Sequence, residues 1–145
     1  MNSSNGKNCL HCSEYKPYDE YHSNKEMRDG RSSYCKPCAS ERAKAWRQNN
    51  KDRVRDTYLR STYGISLSDH LQLFKGQDGR CAICGVEEHH APRATLFVDH
   101  DHDTGLVRGL LCHHCNAGLG HFMDNRQWLS WAIDYLDKDK NNDPI

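Results

Sequence analysis

Asp99-His100-Asp101-His102-Asp103 alternates carboxylate and imidazole, and the apolar run Leu96-Phe97-Val98 leads straight into it. So dense a titratable stretch has little structural use unless it meets a cation, a phosphate or both. The chemistry it suits is phosphodiester hydrolysis. That reaction needs an activated water, a Lewis acid on the developing oxyanion and help for the leaving 3′ oxygen. Asp99 offers a hard oxygen to Mg²⁺ or Mn²⁺. Histidine is the side chain whose ordinary pKa lies nearest neutrality, which suits His100 to be a general base. Asn116 offers a neutral oxygen ligand and is fixed in place by its neighbour Cys115. His102 lies two residues from His100, on the same face if a strand continues that far, where it would touch the scissile phosphate or assist the leaving group. Arg108 is placed for a flanking phosphate. Asp101 and Asp103 read most simply as turn residues, with outer partners of the metal ligands as the other reading.

The elements that must position these groups are marked by cysteine. Eight cysteines fall as four Cys-x-x-Cys pairs. Cys9/Cys12 and Cys35/Cys38 are separated by 22 residues, and Cys81/Cys84 and Cys112/Cys115 by 27. Paired knuckles at this kind of spacing read as four-thiolate zinc sites, so two structural Zn²⁺ are expected. A redox dithiol would instead be a single pair beside a βαβ pattern, and disulfides would need an oxidising compartment. Between the second set of knuckles the pattern reads as a hairpin. Thr95 to Val98 is one strand, Asp103-Thr104-Gly105 the turn and Leu106 to Leu111 the return.

Residues 1–8 and Lys138 to Ile145 read as polar tails. In the first knuckle unit Arg28-Asp29-Gly30-Arg31 supplies a turn, and Lys16-Pro17-Tyr18 and Tyr21 suggest short extended pieces. Ser40 can cap a helix from Glu41 to about Leu59. That helix carries Arg42, Lys44, Arg47, Lys51, Arg53 and Arg55, either as a solvated connector or as a basic strut along a nucleic-acid backbone. Tyr63-Gly64-Ile65 breaks it, and Ser66 with Asp69 forms a capping pattern for a shorter helix whose face is Leu67, Leu71 and Phe74, widened by Leu73. A short helix follows Cys115. A final helix, capped by Asp124 or Asn125, places Trp128, Trp131, Ala132, Tyr135 and Leu136 on one stripe, read as core or a dimer contact. The expected division is a zinc unit over 1–40, a basic helix over 41–62 and a catalytic domain over 63–145.

Composition agrees with a metal-dependent core. Hydrophobic content is 36% and mean hydropathy is −0.97, so the apolar material for a large core is missing and metals must help. Net charge is formally zero, with 20 basic and 20 acidic residues, which excludes a uniformly basic DNA-coating protein but not a local basic face. No charged segment with an apolar run opens the chain, so neither secretion nor membrane insertion is expected and the cytoplasm is the expected compartment.

Cys81-Ala-Ile-Cys84-Gly85, Val98-Asp-His-Asp-His102, Thr104-Gly-Leu-Val-Arg-Gly-Leu-Leu-Cys112 and Cys115-Asn116 together resemble the phage recombination endonuclease VII family, within the wider HNH, or ββα-metal, nucleases. The resemblance runs from residue 63 to 138, and the N-terminal zinc unit and basic helix lie outside it. It implies a small zinc-stabilised α+β fold in which a hairpin and helix surround one catalytic divalent metal. By matching position, Asp99 and Asn116 resemble the family's metal ligands, His100 its general base and His102 a further active-site histidine. Cys81, Cys84, Cys112 and Cys115 resemble its structural zinc ligands. The implied partner is DNA and the implied activity is endonucleolytic. Branched DNA is among the candidate substrates, and monomer or homodimer is left open. The alternative class is a non-catalytic zinc-knuckle protein that binds nucleic acid, or a phage accessory protein on the same fold.

Overall fold

The computed structural model describes residues 5–138. The chain divides into two compact units, one ending at Arg55 and the other starting at Asp56.

In the N-terminal unit, strand β1 (Gly6–Asn8) pairs antiparallel with β2 (Tyr15–Pro17), and β3 (Tyr21–Ser23) with β4 (Arg31–Cys35). The first polar tail is therefore shorter than expected, because Gly6–Asn8 joins a sheet. Gly6 is required there, since a Cβ would run into the Lys16 carbonyl. Residues 1–4 and 139–145, including all but the first residue of the expected C-terminal tail, lie outside the described residues. Tyr21 is buried beside Cys9, Cys35 and Cys38, and its hydroxyl donates to the Lys7 carbonyl at 2.8 Å. So small a cluster leaves the cysteines as most of the core.

The expected single helix from Glu41 is two. Helix α1 (Lys36–Asn49) starts at once after Cys35, with Pro37 in its first turn, where a missing N–H costs nothing. Helix α2 (Lys51–Tyr63) follows a break at Asn50, which leaves helical geometry at φ −128° and ψ 42°. The Asn50 side chain donates to the Trp46 carbonyl at 2.8 Å, while its own carbonyl accepts from Val54 N–H at 3.0 Å. One residue thus satisfies the end of one helix and the start of the next.

In the second unit, α3 (Leu67–Gly76) begins with the expected capping box. Ser66 Oγ accepts from Asp69 N–H at 3.1 Å, and Asp69 accepts from Ser66 N–H at 2.8 Å. Its buried face keeps Leu67, Leu73 and Phe74 of the expected one but not Leu71. Leu71 points to solvent, while His70 is buried and Leu67, Leu73 and Phe74 pack on the core. That core is Leu59, Ala91, Leu96, Val98, Leu110 and Leu111 with Cys81 and Cys112.

Strands β5 (Phe97–His100) and β6 (Val107–Leu111) form the expected hairpin, followed by α4 (His113–His121), which packs on both strands, and α5 (Arg126–Asp137). Asn125, not Asp124, caps α5, accepting from Trp128 N–H at 3.0 Å. The α5 stripe is not core: Trp128, Trp131, Tyr135 and Leu136 are all exposed. Gln77 clamps the hairpin from outside. Its Oε1 accepts from Leu110 N–H at 2.8 Å, and its Nε2 donates to the carbonyls of Leu110 at 2.9 Å and Arg80 at 2.8 Å. Gly109 leaves room for this clamp, since a Cβ there would lie 3.1 Å from Gln77 Oε1.

Candidate active site

The hairpin register explains which side chains meet. Phe97 faces Leu111, Val98 faces Leu110 and Asp99 faces Gly109, but His100 faces Val107. Arg108 is the extra residue of a β-bulge. Such an insertion kinks the strand and re-aims its side chain. The guanidinium lands on Asp99 as a fork, with Nε donating to Oδ2 at 2.7 Å and Nη2 to Oδ1 at 3.0 Å. The sequence reading placed Arg108 on a flanking phosphate, whereas in the structure two carboxylates hold it. Nη2 also reaches Asp124 Oδ2 at 3.3 Å. The hydrogen bond and charge of Asp99 raise the Arg108 pKa further above its ordinary value, against the opposing effect of burial. Asp99 itself is buried.

His100 is half-buried, with its ring edge-on to Tyr63 (centroids 5.4 Å apart) and to His102 (4.9 Å). His102 Nδ1 lies 3.1 Å from Asp124 Oδ2, the same oxygen that meets Arg108. A continuous chain of contacts therefore runs from Tyr63 through His100, His102, Asp124 and Arg108 to Asp99. The hydrogen bond that its O–H donates to Tyr58, helped by burial, pushes the Tyr63 hydroxyl up to about 12. Asp101 is a turn residue. Its Oδ1 accepts from the N–H groups of Asp103 at 3.0 Å and Thr104 at 2.8 Å, and these contacts hold its pKa down. Asp103 shares that turn as a backbone donor.

Asp124 and Tyr63 were not legible as site residues. Asp124 read as a helix cap and Tyr63 as a helix breaker. Asp124 reaches the site from the α4–α5 turn, where Met123 (φ 52°) and Asp124 (φ 53°) both take the left-handed conformation that L-residues seldom adopt. No local spacing signals such a turn.

Asn116 lies in α4, half-buried, and its N–H donates to the Cys112 carbonyl at 3.0 Å. Cys112 precedes the helix, so a metal on the cysteines would orient the face that carries Asn116. Cys81, Cys84, Cys112 and Cys115 bring four Sγ atoms within 4.8 Å of one another, as do Cys9, Cys12, Cys35 and Cys38. Either quartet could hold a metal ion. Cys84 Sγ and Cys112 Sγ are 3.7 Å apart. Two thiolates bound tetrahedrally at ~2.3 Å to one zinc would be ~3.8 Å apart, so the spacing fits that ion and not an S–S bond. Burial acts to raise the Cys9 and Cys81 thiols, but backbone N–H donors outweigh it and bring them down to about 5 and about 6. Cys38 is pushed up to about 12 by hydrogen bonding to Cys35 and by burial. Burial raises Cys115 as well. A cation among the four sulfurs would relieve this opposition.

The basic residues Arg42, Lys44, Arg47, Lys51, Arg53 and Arg55 are exposed on the N-terminal unit. Arg42 stacks on Tyr34 at 4.2 Å and Arg53 on Trp46 at 5.8 Å. A third group, Glu87, His89 and His90, also converges within 4.8 Å. Both of its imidazoles are solvent-exposed; Glu87 pairs with Arg80, and its other oxygen lies 3.3 Å from His89 Nε2. Among the described residues no helix is long and apolar enough to cross a membrane.

Residues 56–138 match the family model described as recombination endonuclease VII. The chain belongs to the recombination endonuclease VII family. The match begins at the residue where the second compact unit begins, so the hairpin, the second cysteine quartet and the contact chain around Asp99 all lie inside the family region. The Gene 59 protein of Mycobacterium phage D29 is 45% identical over 84 residues, covering 57% of this chain and 50% of the relative. The Gene 59 protein of Mycobacterium phage L5 is 43% identical over 82 residues, covering 56% and 49%. The chain spans about half the length of these curated relatives. A solved structure, the β-β-α-Me type II restriction endonuclease Hpy99I, is similar at 27% identity. That similarity covers 92% of this chain and 66% of the other, with a TM-score of 0.35.

Proposed function

We propose that this member of the endonuclease VII family is a DNA endonuclease that hydrolyses phosphodiester bonds at the end of β5 with one divalent cation. The observation that carries the reading is Asp99, a buried carboxylate, followed directly by His100 in a hairpin whose next helix supplies Asn116. A carboxylate and an amide oxygen are the hard donors that Mg²⁺ and Mn²⁺ take, so the donor set fits. Held there, such an ion would polarise the phosphoryl group and stabilise charge on the leaving 3′ oxygen.

The protein's own groups do the rest. His100 accepts the proton of the attacking water at an imidazole nitrogen, and Tyr63 and His102, edge-on to its ring, restrict how that ring can turn. His102, tethered by Asp124, is the group for the phosphate or the leaving oxygen. We propose zinc as the ion in both cysteine quartets, on the thiolate chemistry and the 3.7 Å sulfur spacing. The exposed basic residues from Arg42 to Arg55 supply backbone contacts to DNA.

The test is nicking of supercoiled plasmid by zinc-loaded protein with Mg²⁺ or Mn²⁺. Cleavage is expected to stop with EDTA. His100→Ala should slow it by about 10²-fold or more while zinc content stays intact. If His100→Ala and Asp99→Ala both cut as fast as the parent, the reading is wrong. A panel of linear duplex, single strand, flap and four-way junction in the same assay separates structure-selective from indiscriminate cutting. Binding without cutting in every lane would favour the non-catalytic class.

A further inference from the structure

The Arg108 fork occupies both oxygens of the carboxylate that the proposed function assigns to the divalent ion. A divalent cation bound to Asp99 at ~2.1 Å would sit close to a second positive charge, so the two must share the carboxylate or one must yield. Two features show how Arg108 can yield. Asp124 already holds Nη2 at 3.3 Å and is itself tethered by His102, so the guanidinium keeps an anionic partner when it leaves Asp99. The Arg108 side chain is also 35% exposed where that of Asp99 is 11% exposed, which puts the fork above the carboxylate and within reach of an arriving anion. A guanidinium fork matches phosphate oxygens as well as it matches carboxylate oxygens.

We propose that Arg108 couples metal loading to nucleic-acid arrival: its guanidinium holds Asp99 until a backbone phosphate draws it away and leaves the carboxylate to the cation. The coupling rests on the reading of Asp99 as a metal ligand. Linkage makes it reciprocal, so DNA tightens metal binding by the same factor by which metal tightens DNA binding. The bulge is what makes this possible, because with regular pairing Arg108 would face His100 and its side chain would leave the sheet on the face away from Asp99.

The experiment measures Mn²⁺ binding to the full zinc-loaded chain by the electron paramagnetic resonance of unbound Mn²⁺. It is done with and without a short duplex, in a His100→Ala background that prevents cleavage. With Arg108 present, Mn²⁺ should bind weakly alone and about tenfold tighter with duplex. Arg108→Met should bind Mn²⁺ about tenfold tighter alone and lose most of the response to duplex. Arg108→Lys, which keeps the charge without the fork, should fall between the two and serves if the methionine variant does not retain zinc. Asp99→Asn should abolish Mn²⁺ binding to the protein in each background, returning the unbound signal to the level seen without protein, which identifies the site and subtracts Mn²⁺ held by the duplex itself. Weaker Mn²⁺ binding in Arg108→Met, or an unchanged response to duplex, overturns the coupling and leaves Asp99 a ligand. No Asp99-dependent Mn²⁺ in any background overturns the metal reading, and the coupling with it.

Discussion

Replacing Gln77 tests whether a side chain 33 residues away in sequence from Leu110 holds the β5–β6 hairpin. Leu110 is fully buried, and its N–H has Gln77 Oε1 as partner at 2.8 Å. Gln77→Met keeps the volume and removes every polar atom. The buried N–H is then orphaned, which costs ~1–3 kcal/mol. The Leu110 carbonyl keeps the Ala82 N–H at 3.1 Å, so its loss is smaller, ~0.5 kcal/mol. The bond to the Arg80 carbonyl is exposed and adds little. The sum is about 1.5–3.5 kcal/mol, or ~6–28 °C in the melting of a unit this size.

Gln77→Glu gives the sign. Its carboxylate can accept from Leu110 N–H but turns its second oxygen toward two carbonyls, so the folded state raises the pKa of the new acid. The deficit relative to the parent is then full above that raised value. It shrinks as pH falls through it, because the protonated acid donates as the amide did. Urea unfolding of zinc-loaded protein, compared with the parent at each pH, measures both variants. A methionine variant within ~0.5 kcal/mol of the parent, or a glutamate deficit that persists on acidification, would refute the clamp.

Metal removal should unfold both units, since five of the twelve buried apolar residues among the described ones are cysteines of the two quartets. Chelation should expose all eight thiols to a thiol reagent and collapse the near-ultraviolet dichroism, and a retained fold after complete metal loss would contradict this. At the α3 cap, Ser66→Ala should cost ~1 kcal/mol in the same urea assay. Asp69 is held below the ordinary carboxylate range by the Ser66 hydroxyl and then by its backbone N–H. Its stabilisation is therefore present above the unfolded value of ~3.9 and lost as pH falls through the lower folded value, a dependence that Asp69→Asn should remove.

Much of this site was legible because it is local. Cys-x-x-Cys knuckles bring two sulfurs side by side by backbone geometry alone, the Ser66–Asp69 box is a three-residue spacing, and Asp99-His100 follows an apolar run that reads as a strand end. The turn role of Asp101 is local too, a side chain bonding its own backbone two and three residues on.

Other features were decided by tertiary structure. A helical stripe specifies which side of α5 is apolar but not whether the chain covers it, and here Trp128 and Trp131 stay exposed. Helix propensity ran the pattern smoothly through Asn50, whereas the side chain that bridges Trp46 and Val54 divides it. Most consequential is the bulge. Side chains alternate faces along a strand, so one inserted residue reverses the pattern beyond it, and no composition rule says where the insertion falls. Residue type determined that a carboxylate, an imidazole and an arginine lie on one hairpin. Only the fold decided that the arginine's fork closes on Asp99, with Asp124 arriving from a left-handed turn 16 residues further on to share it.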